Sequence, residues 1–182
     1  MKKINTASLA RIALGSAVIA VTSWIYVPSV LPYTLQTLGV FFVLCLLGGR
    51  LGSISVLVYV LTGAAGFPVF SGFRGGPGVL IGATGGYIAG FILSALIFRI
   101  CIYIAGNSLT GRILGSVLGL AGCYAAGSLW YAATVTGSIG AGFLSALGVC
   151  VVPFIIPDLI KIALAAALAE VLRRRLGSKL IG

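Results

Sequence analysis

Acid and histidine are what this sequence lacks. Asp and Glu together number two, histidine is absent, and charged residues make up 8% of the 182 positions. Without an imidazole, a pair of carboxylates or a nucleophile with a base in reach, acid–base and covalent chemistry have nothing to run on, so an enzyme is not expected. Four cysteines, Cys45, Cys101, Cys123 and Cys150, fall in or beside apolar runs without metal-ligand spacing. They read as small apolar residues rather than a disulfide framework, a redox centre or a metal site. The Gly-rich stretch at 63–82 is not followed by Gly-Lys-Ser/Thr, which excludes a phosphate-cradling loop.

What is present is hydrocarbon. Hydrophobic residues make up 60% of the chain and the mean hydropathy is +1.21, whereas a soluble domain carries about a quarter charged residues. The apolar runs are continuous rather than alternating, which predicts an all-α polytopic membrane protein. The length allows one bundle of six transmembrane helices forming a single domain over 1–182, with no room for a soluble domain. A net charge of +10 suggests nucleic acid at first sight. The basic residues, however, sit at the ends of apolar runs, where cytoplasmic loops collect Lys and Arg, so a lipid bilayer and not nucleic acid is the expected partner.

In chain order, a short basic start (Lys2, Lys3, Arg11) leads into Ile12–Val27, the first expected span. A signal peptide starts similarly, but here no small-x-small site precedes polar sequence. Ala13 and Ala17 form a small-x-x-x-small face, which from spacing alone is ordinary helix packing. After the PSVLPY loop at 28–33 come two short apolar segments, 35–47 and 53–61, split by Gly48-Gly49-Arg50-Leu51-Gly52. Short or Gly-broken segments in transporters border binding sites. Gln36 and Thr37 at the start of the first segment offer hydrogen-bonding groups there, or simply cap a helix.

Residues 62–82 read as the longest non-helical stretch, with Phe67, Phe70 and Phe73 between glycines. That many aromatics predict an ordered lid or re-entrant loop on the outer side rather than a flexible linker. The fourth span, 82–104, opens Ala83-Thr84-Gly85-Gly86-Tyr87 and carries Gly82, Gly86 and Gly90 at four-residue spacing. The fifth, 113–134, repeats the device with Gly115, Gly119, Cys123 and Gly127, and both ridges are expected to pack helices. Residues 135–150 are too short to cross and suggest an interfacial piece.

The last run, 151–172, holds Asp158 and Lys161 in nearly pure hydrocarbon. A charge at the bilayer centre costs about 2.5–3.5 kcal/mol on insertion scales. At i and i+3 the two share a helix face and can pair. Pro157 suits a first helical position, so the helix is expected to begin there, making Asp158 a helix-start acid in the plainer reading. That reading does not account for Lys161. Placing both termini inside puts Lys2, Lys3, Arg11, Arg50, Arg99, Arg112, Arg173, Arg174, Arg175 and Lys179 on the cytoplasmic side, with Arg74 outside. The PSVLPY loop, the Gly/Phe loop, the ATGGY start and the Asp158/Lys161 face then gather at the outer side.

LPYTLQTLGV (31–40), GxxGFPVFSGFRGGPGVLIGATGGYIAGF (63–91) and PFIIPDLIK (153–161) together resemble the BioY family, the biotin-binding S-components of energy-coupling factor (ECF) vitamin transporters. With the six-helix plan the resemblance covers nearly the whole chain. It departs at Ala83, where relatives commonly have Pro, and at Pro157, where Gly commonly precedes the Asp. The resemblance implies a non-enzymatic subunit of a prokaryotic cell membrane that captures biotin from outside. It also implies partners, namely a transmembrane coupling subunit and two ATP-binding subunits. The Ala13/Ala17 face matches the family's first-helix motif for docking that coupling subunit.

Chemistry fits such a ligand. Asp158 can accept from the two ureido N–H groups. Lys161 can donate to the carboxylate, or to the ureido oxygen, in which case Arg74 or loop N–H groups take the carboxylate. Gln36, Thr84 and the Gly85-Gly86 backbone are the next polar candidates, with Tyr33, Phe70, Phe73 and Tyr87 as walls. Another vitamin on the same scaffold, or a membrane scaffold protein that binds nothing, are the alternatives.

Overall fold

A computed structural model describes residues 5–28, 33–137 and 139–177. Lys2, Lys3, Lys179 and most of the PSVLPY loop lie outside the described residues. Helix α1 (Thr6–Trp24) starts on Asn5, whose side chain accepts from the Ser8 amide at 2.9 Å, satisfying one of the unpaired N–H groups of a helix start. The sequence predicts α1 to run to Val27, but it stops at Trp24. Two-residue strands β1 (Tyr26–Val27) and β2 (Tyr33–Thr34) then pair antiparallel, Tyr26 opposite Thr34. Ladder bonds there replace the helical ones that the last residues of α1 would have made.

Helix α2 (Gln36–Ala64) contains one non-helical residue, Gly48, at φ 79° and ψ 177°. Gln36 Nε2 nevertheless donates to Tyr59 Oη at 2.9 Å. In a straight helix those residues would stand roughly 35 Å apart, so α2 is a hairpin with its corner at Gly48 and limbs over 36–47 and 49–64. A positive φ at that corner suits glycine. A helix limb that ends leaves carbonyls without partners, and Arg173 fills that need by donating from Nη1 to Cys45 O at 2.9 Å and Leu46 O at 3.1 Å. The hairpin is the middle of the bundle. Val40, Phe41, Leu44, Cys45 and Val56 are fully buried in it, and α1 and the later helices over Gly85–Ala105 and Val152–Leu176 pack around it.

The Gly/Phe segment is less irregular than the sequence predicts. Helix continues to Ala64, and a one-turn helix α3 (Pro77–Ile81) interrupts the loop, with Pro in its first turn, where a missing N–H costs nothing. Ser23 Oγ donates to Val69 O at 2.6 Å, Trp24 Nε1 to Pro68 O at 2.9 Å and Trp130 Nε1 to Gly82 O at 3.0 Å. The loop is thereby tied to α1 on one side and to the helix that carries Trp130 on the other.

Helices α4 (Gly85–Ala105) and α5 (Leu109–Tyr131) make the most extensive helix pair. Their small residues interlock: Gly90 lies against Cys123, Gly115 against Phe98, and Gly119 against Ser94, whose hydroxyl donates to Gly119 O at 2.7 Å. These ridges pack helices, as expected. A π-helical turn (Ala132–Thr136), helix α6 (Ile139–Cys150) and helix α7 (Val152–Leu176) complete the chain.

Among the described residues, five helices are long and apolar enough to cross a membrane. Because α2 doubles back, its two limbs and the other four long helices make six helical segments, and α6 is a further short one. Large apolar side chains face outward all round, among them Leu14, Leu96, Ile104, Leu118 and Leu164, as lipid contact requires. Arg50, Arg99, Arg112 and Arg173–Arg175 collect at the end of the bundle where α1 begins. There buried Arg112 pairs with Glu170, which also takes Arg174 Nε at 2.9 Å.

Candidate functional site

At the opposite end, a cavity of about 750 Å³, counting the space in its open mouth, lies beneath the Gly/Phe loop. Its wall combines the start of α2 (Gln36, Thr37), the loop (Phe70, Ser71, Arg74), the entry of α4 (Thr84, Tyr87, Ile88, Phe91), α5 (Leu120, Cys123, Tyr124) and α7 (Phe154, Asp158). Most of this surface is apolar, with a few polar groups converging on it, as in small-molecule sites generally.

Asp158 reaches the wall by a route the sequence does not predict. Helix α7 begins at Val152, not near Pro157. Its first bonds run from the Phe154 and Ile155 amides to Val151 O, and Pro153 takes the first turn. Pro157 sits inside the helix. In hydrocarbon a frayed start would leave backbone groups without water, so the helix extends a further turn despite the bond Pro157 cannot make. Asp158 is therefore past the first turn, and its reading as a helix-start acid does not hold.

The carboxylate is 4% exposed and is held at both oxygens. Lys161 Nζ donates to Oδ1 at 2.7 Å and Tyr124 Oη to Oδ2 at 2.8 Å. A buried charge needs this compensation, and each oxygen keeps a further lone pair to offer a ligand donor. Across the loop, Phe70 is 1% exposed and stands edge-on to Tyr59 at 5.6 Å. It rests on Gly63, where an added Cβ would fall 2.5 Å from two ring atoms. Among the described residues, Ser71 Oγ and Tyr87 Oη are buried and find no hydrogen-bond partner. Among the described residues no three His, Cys, Asp or Glu side chains converge to hold a metal ion, and all four cysteines are free.

Of the residues singled out from sequence, Asp158, Gln36, Thr84, Tyr87, Arg74 and Phe70 come together on this wall. Lys161 stands behind it, reaching the cavity through Asp158. Tyr33 is one layer back, stacked on the lining residue Phe154 at 4.2 Å. Gly85 and Gly86 are not among the lining residues; a Cβ added at Gly85 would meet Leu80 O and one at Gly86 would meet Trp130. Phe73 is no wall either. It takes a positive φ of 57° that turns its ring outward, where it stacks on Trp24 at 5.0 Å and is exposed. Ala13 and Ala17 lie on the exposed side of α1, away from the face that buries Ile12, Gly15 and Ile19. Sequence reasoning missed Tyr124, Ser71, Phe154 and Cys150, all of which line the cavity. Only Tyr124 had a signal, a phenol in mid-span rather than at a membrane interface.

The family model described as the BioY family matches residues 1–178. The biotin transporter BioY of Thermotoga maritima is 37% identical over 170 residues, covering 91% of this chain and 95% of that protein. The probable biotin transporter BioY of Pyrococcus horikoshii is 41% identical over 141 residues, covering 76% and 78%. In three dimensions the chain resembles the S-component for biotin from an ECF-type ABC transporter, with a TM-score of 0.79 over 92% of this chain and 91% of that one. At 23% identity that likeness is one of fold.

Proposed function

The chain belongs to the BioY family, and on that premise we propose that it is a membrane-embedded subunit that binds biotin in the cavity beneath the Gly/Phe loop. The observation that carries this reading is Asp158, a buried carboxylate braced by Lys161 and Tyr124 and facing an apolar cavity. Biotin offers two ureido N–H donors to such an acceptor and an apolar ring and chain to walls such as Phe70, Tyr87, Phe91 and Phe154.

The whole chain acts as one substrate-binding domain. By the positive-inside rule the arginine-rich end is cytoplasmic, with both termini, and the cavity faces outward. Biotin captured there is delivered inward with a transmembrane coupling subunit and two ATP-binding subunits of an ECF transporter. The exposed Ala13/Ala17 face of α1 gives the coupling subunit a place of close approach. The location is the plasma membrane of a prokaryotic cell.

A thermal-shift titration of the detergent-purified protein tests this. Binding to the native state stabilises it by RT ln(1 + [L]/Kd), about 2.7 kcal/mol at a hundredfold excess over Kd. Biotin is expected to raise the melting temperature in that manner and thiamin and riboflavin to leave it unchanged. Stabilisation by one of the other vitamins and not by biotin would replace the ligand, and silence to all three in a folded protein would refute binding.

A further inference from the structure

At the arginine-rich end, α5 and α7 part on the outer surface to leave a groove of about 730 Å³, counting the space in its open mouth. Leu109 and Ile113 of α5 form one bank. Ala163 and Ala167 of α7 hollow out the other, and Glu170 and Arg174 close its end. The trough exists because methyl groups stand there, where the rest of the outer face of α7 carries long side chains such as Leu164 and Leu168. From Ala163 to Arg174 the helix rises about 16 Å, about half of a 30 Å hydrocarbon core. The groove is therefore one leaflet deep, apolar along its length and charged at one end.

The charges at that end do not cancel. Glu170 accepts from buried Arg112 at one oxygen and from Arg174 Nε, at 2.9 Å, at the other. The carboxylate thus holds Arg174 at the groove through Nε and leaves its two terminal nitrogens without a hydrogen bond among the described residues. Arg175 stands one turn beyond the groove residue Val171 and on the same face. It is exposed and enters no ion pair among the described residues. Three arginines against one glutamate leave two positive charges in excess beside an apolar trough. We propose that this groove holds one phospholipid with an anionic headgroup, drawn from the leaflet at the arginine-rich end. Its phosphate rests on Arg174 and Arg175, and one acyl chain lies along Ala163 and Ala167. Basic pockets between membrane helices take such headgroups, and the planar fork of arginine matches phosphate geometry. A neutral-headed lipid fills the trough but leaves the two charges uncompensated. The groove belongs to α5 and α7, whereas α1 packs on α2, so the site is separate from the Ala13/Ala17 face and independent of the biotin cavity.

Phosphatidylglycerol and phosphatidylcholine with the same acyl chains test this, each titrated into the full chain in non-ionic detergent and counted on the protein by native mass spectrometry. Wild type is expected to retain one phosphatidylglycerol about tenfold or more tightly than phosphatidylcholine, which is what a charged hydrogen bond contributes. Arg174→Gln with Arg175→Gln is expected to abolish the preference, and Arg175→Gln alone to reduce it without touching Glu170. Ala163→Leu with Ala167→Leu fills the trough from two exposed positions and keeps every charge. It is expected to weaken phosphatidylglycerol about threefold or more, the equivalent of one or two displaced CH₂ groups. Arg99→Gln removes the same charge from the same end on α4, and binding is expected to stay within about twofold because screening confines a surface charge to its surroundings. Equal retention of both lipids by wild type, or as large a loss in Arg99→Gln, overturns the site in favour of general attraction to an anionic surface. Unchanged binding in the filled variant overturns it as well. A dimer that the filled variant abolishes would assign the face to a second copy of the chain and displace the lipid.

Discussion

Replacing Asp158 by Asn changes one oxygen to nitrogen and leaves Lys161 without its counter-charge. The Asp158 side chain is buried at 5% exposure and that of Lys161 is largely shielded at 12%. Removing one partner of such a pair costs about 3–5 kcal/mol, because the other charge stays buried and unpaired. For a chain of this size each kcal/mol moves the melting temperature by about 2–4 °C, so Asp158→Asn is expected to melt about 6–20 °C lower. Tyr124 keeps an acceptor in the amide oxygen, so the loss comes from the stranded lysine. Adding Lys161→Met removes that charge with little change in volume and is expected to restore most of the stability. Binding does not return with it. The double variant has no carboxylate to accept ligand donors, and at about 1.5–3 kcal/mol for a charged hydrogen bond, biotin affinity stays at least tenfold down. Melting curves with and without biotin, together with equilibrium binding, read both quantities on the same samples. A restored double variant that binds biotin as wild type does would reduce Asp158–Lys161 to a structural pair and refute the reasoning.

Tyr124→Phe removes the donor at Asp158 Oδ2 and is expected to weaken biotin about three- to tenfold by calorimetry; unchanged affinity means that Lys161 alone sets the carboxylate. Gly63→Ala drives a methyl group into the Phe70 ring, so overpacking of about 1–3 kcal/mol should lower both melting temperature and biotin affinity. A fall in one without the other would separate Phe70's packing from its place on the wall. Arg173→Ala leaves the Cys45 and Leu46 carbonyls unpaired, costing about 1–3 kcal/mol. The melting temperature drops and the Kd of the folded protein holds; an affinity loss would show that the hairpin corner and the cavity communicate.

How legible each feature was in the sequence depended on how local its cause is. The GGRLG break predicted two short segments, and the structure has them, because a glycine corner is a property of a few consecutive residues. The glycine ridges of α4 and α5 were readable for the same reason. The start of α7 was not. Pro157 looks like a helix start by local preference, but the surrounding hydrocarbon forces the backbone to pair its groups and carries the helix back to Val152. Ser71 was missed because it has no local signature, and Tyr124 because its one signal, a phenol in mid-span, does not say what it faces. Tyr124 matters through the approach of α5 to α7, and Ser71 through a hydroxyl left unpaired by the turn around it. Phe73 was misplaced because nothing in FSGFRGG announces that the second aromatic takes a left-handed backbone.

The hairpin in α2 has one more consequence. Its first limb, over 36–47, rises only about 18 Å, against a hydrocarbon core of about 30 Å. Lipid does not meet the shortfall, since most of α2 is buried inside the protein. The missing length, on the order of two helical turns, is an omission in the centre of the bundle. Gln36 and Thr37, where that limb starts, form part of the cavity wall, and the neighbouring full-length helices supply its sides. The cavity is thus made by subtraction: its room is the column of helix that the central element does not fill, and its depth is set by where Gly48 turns the chain back.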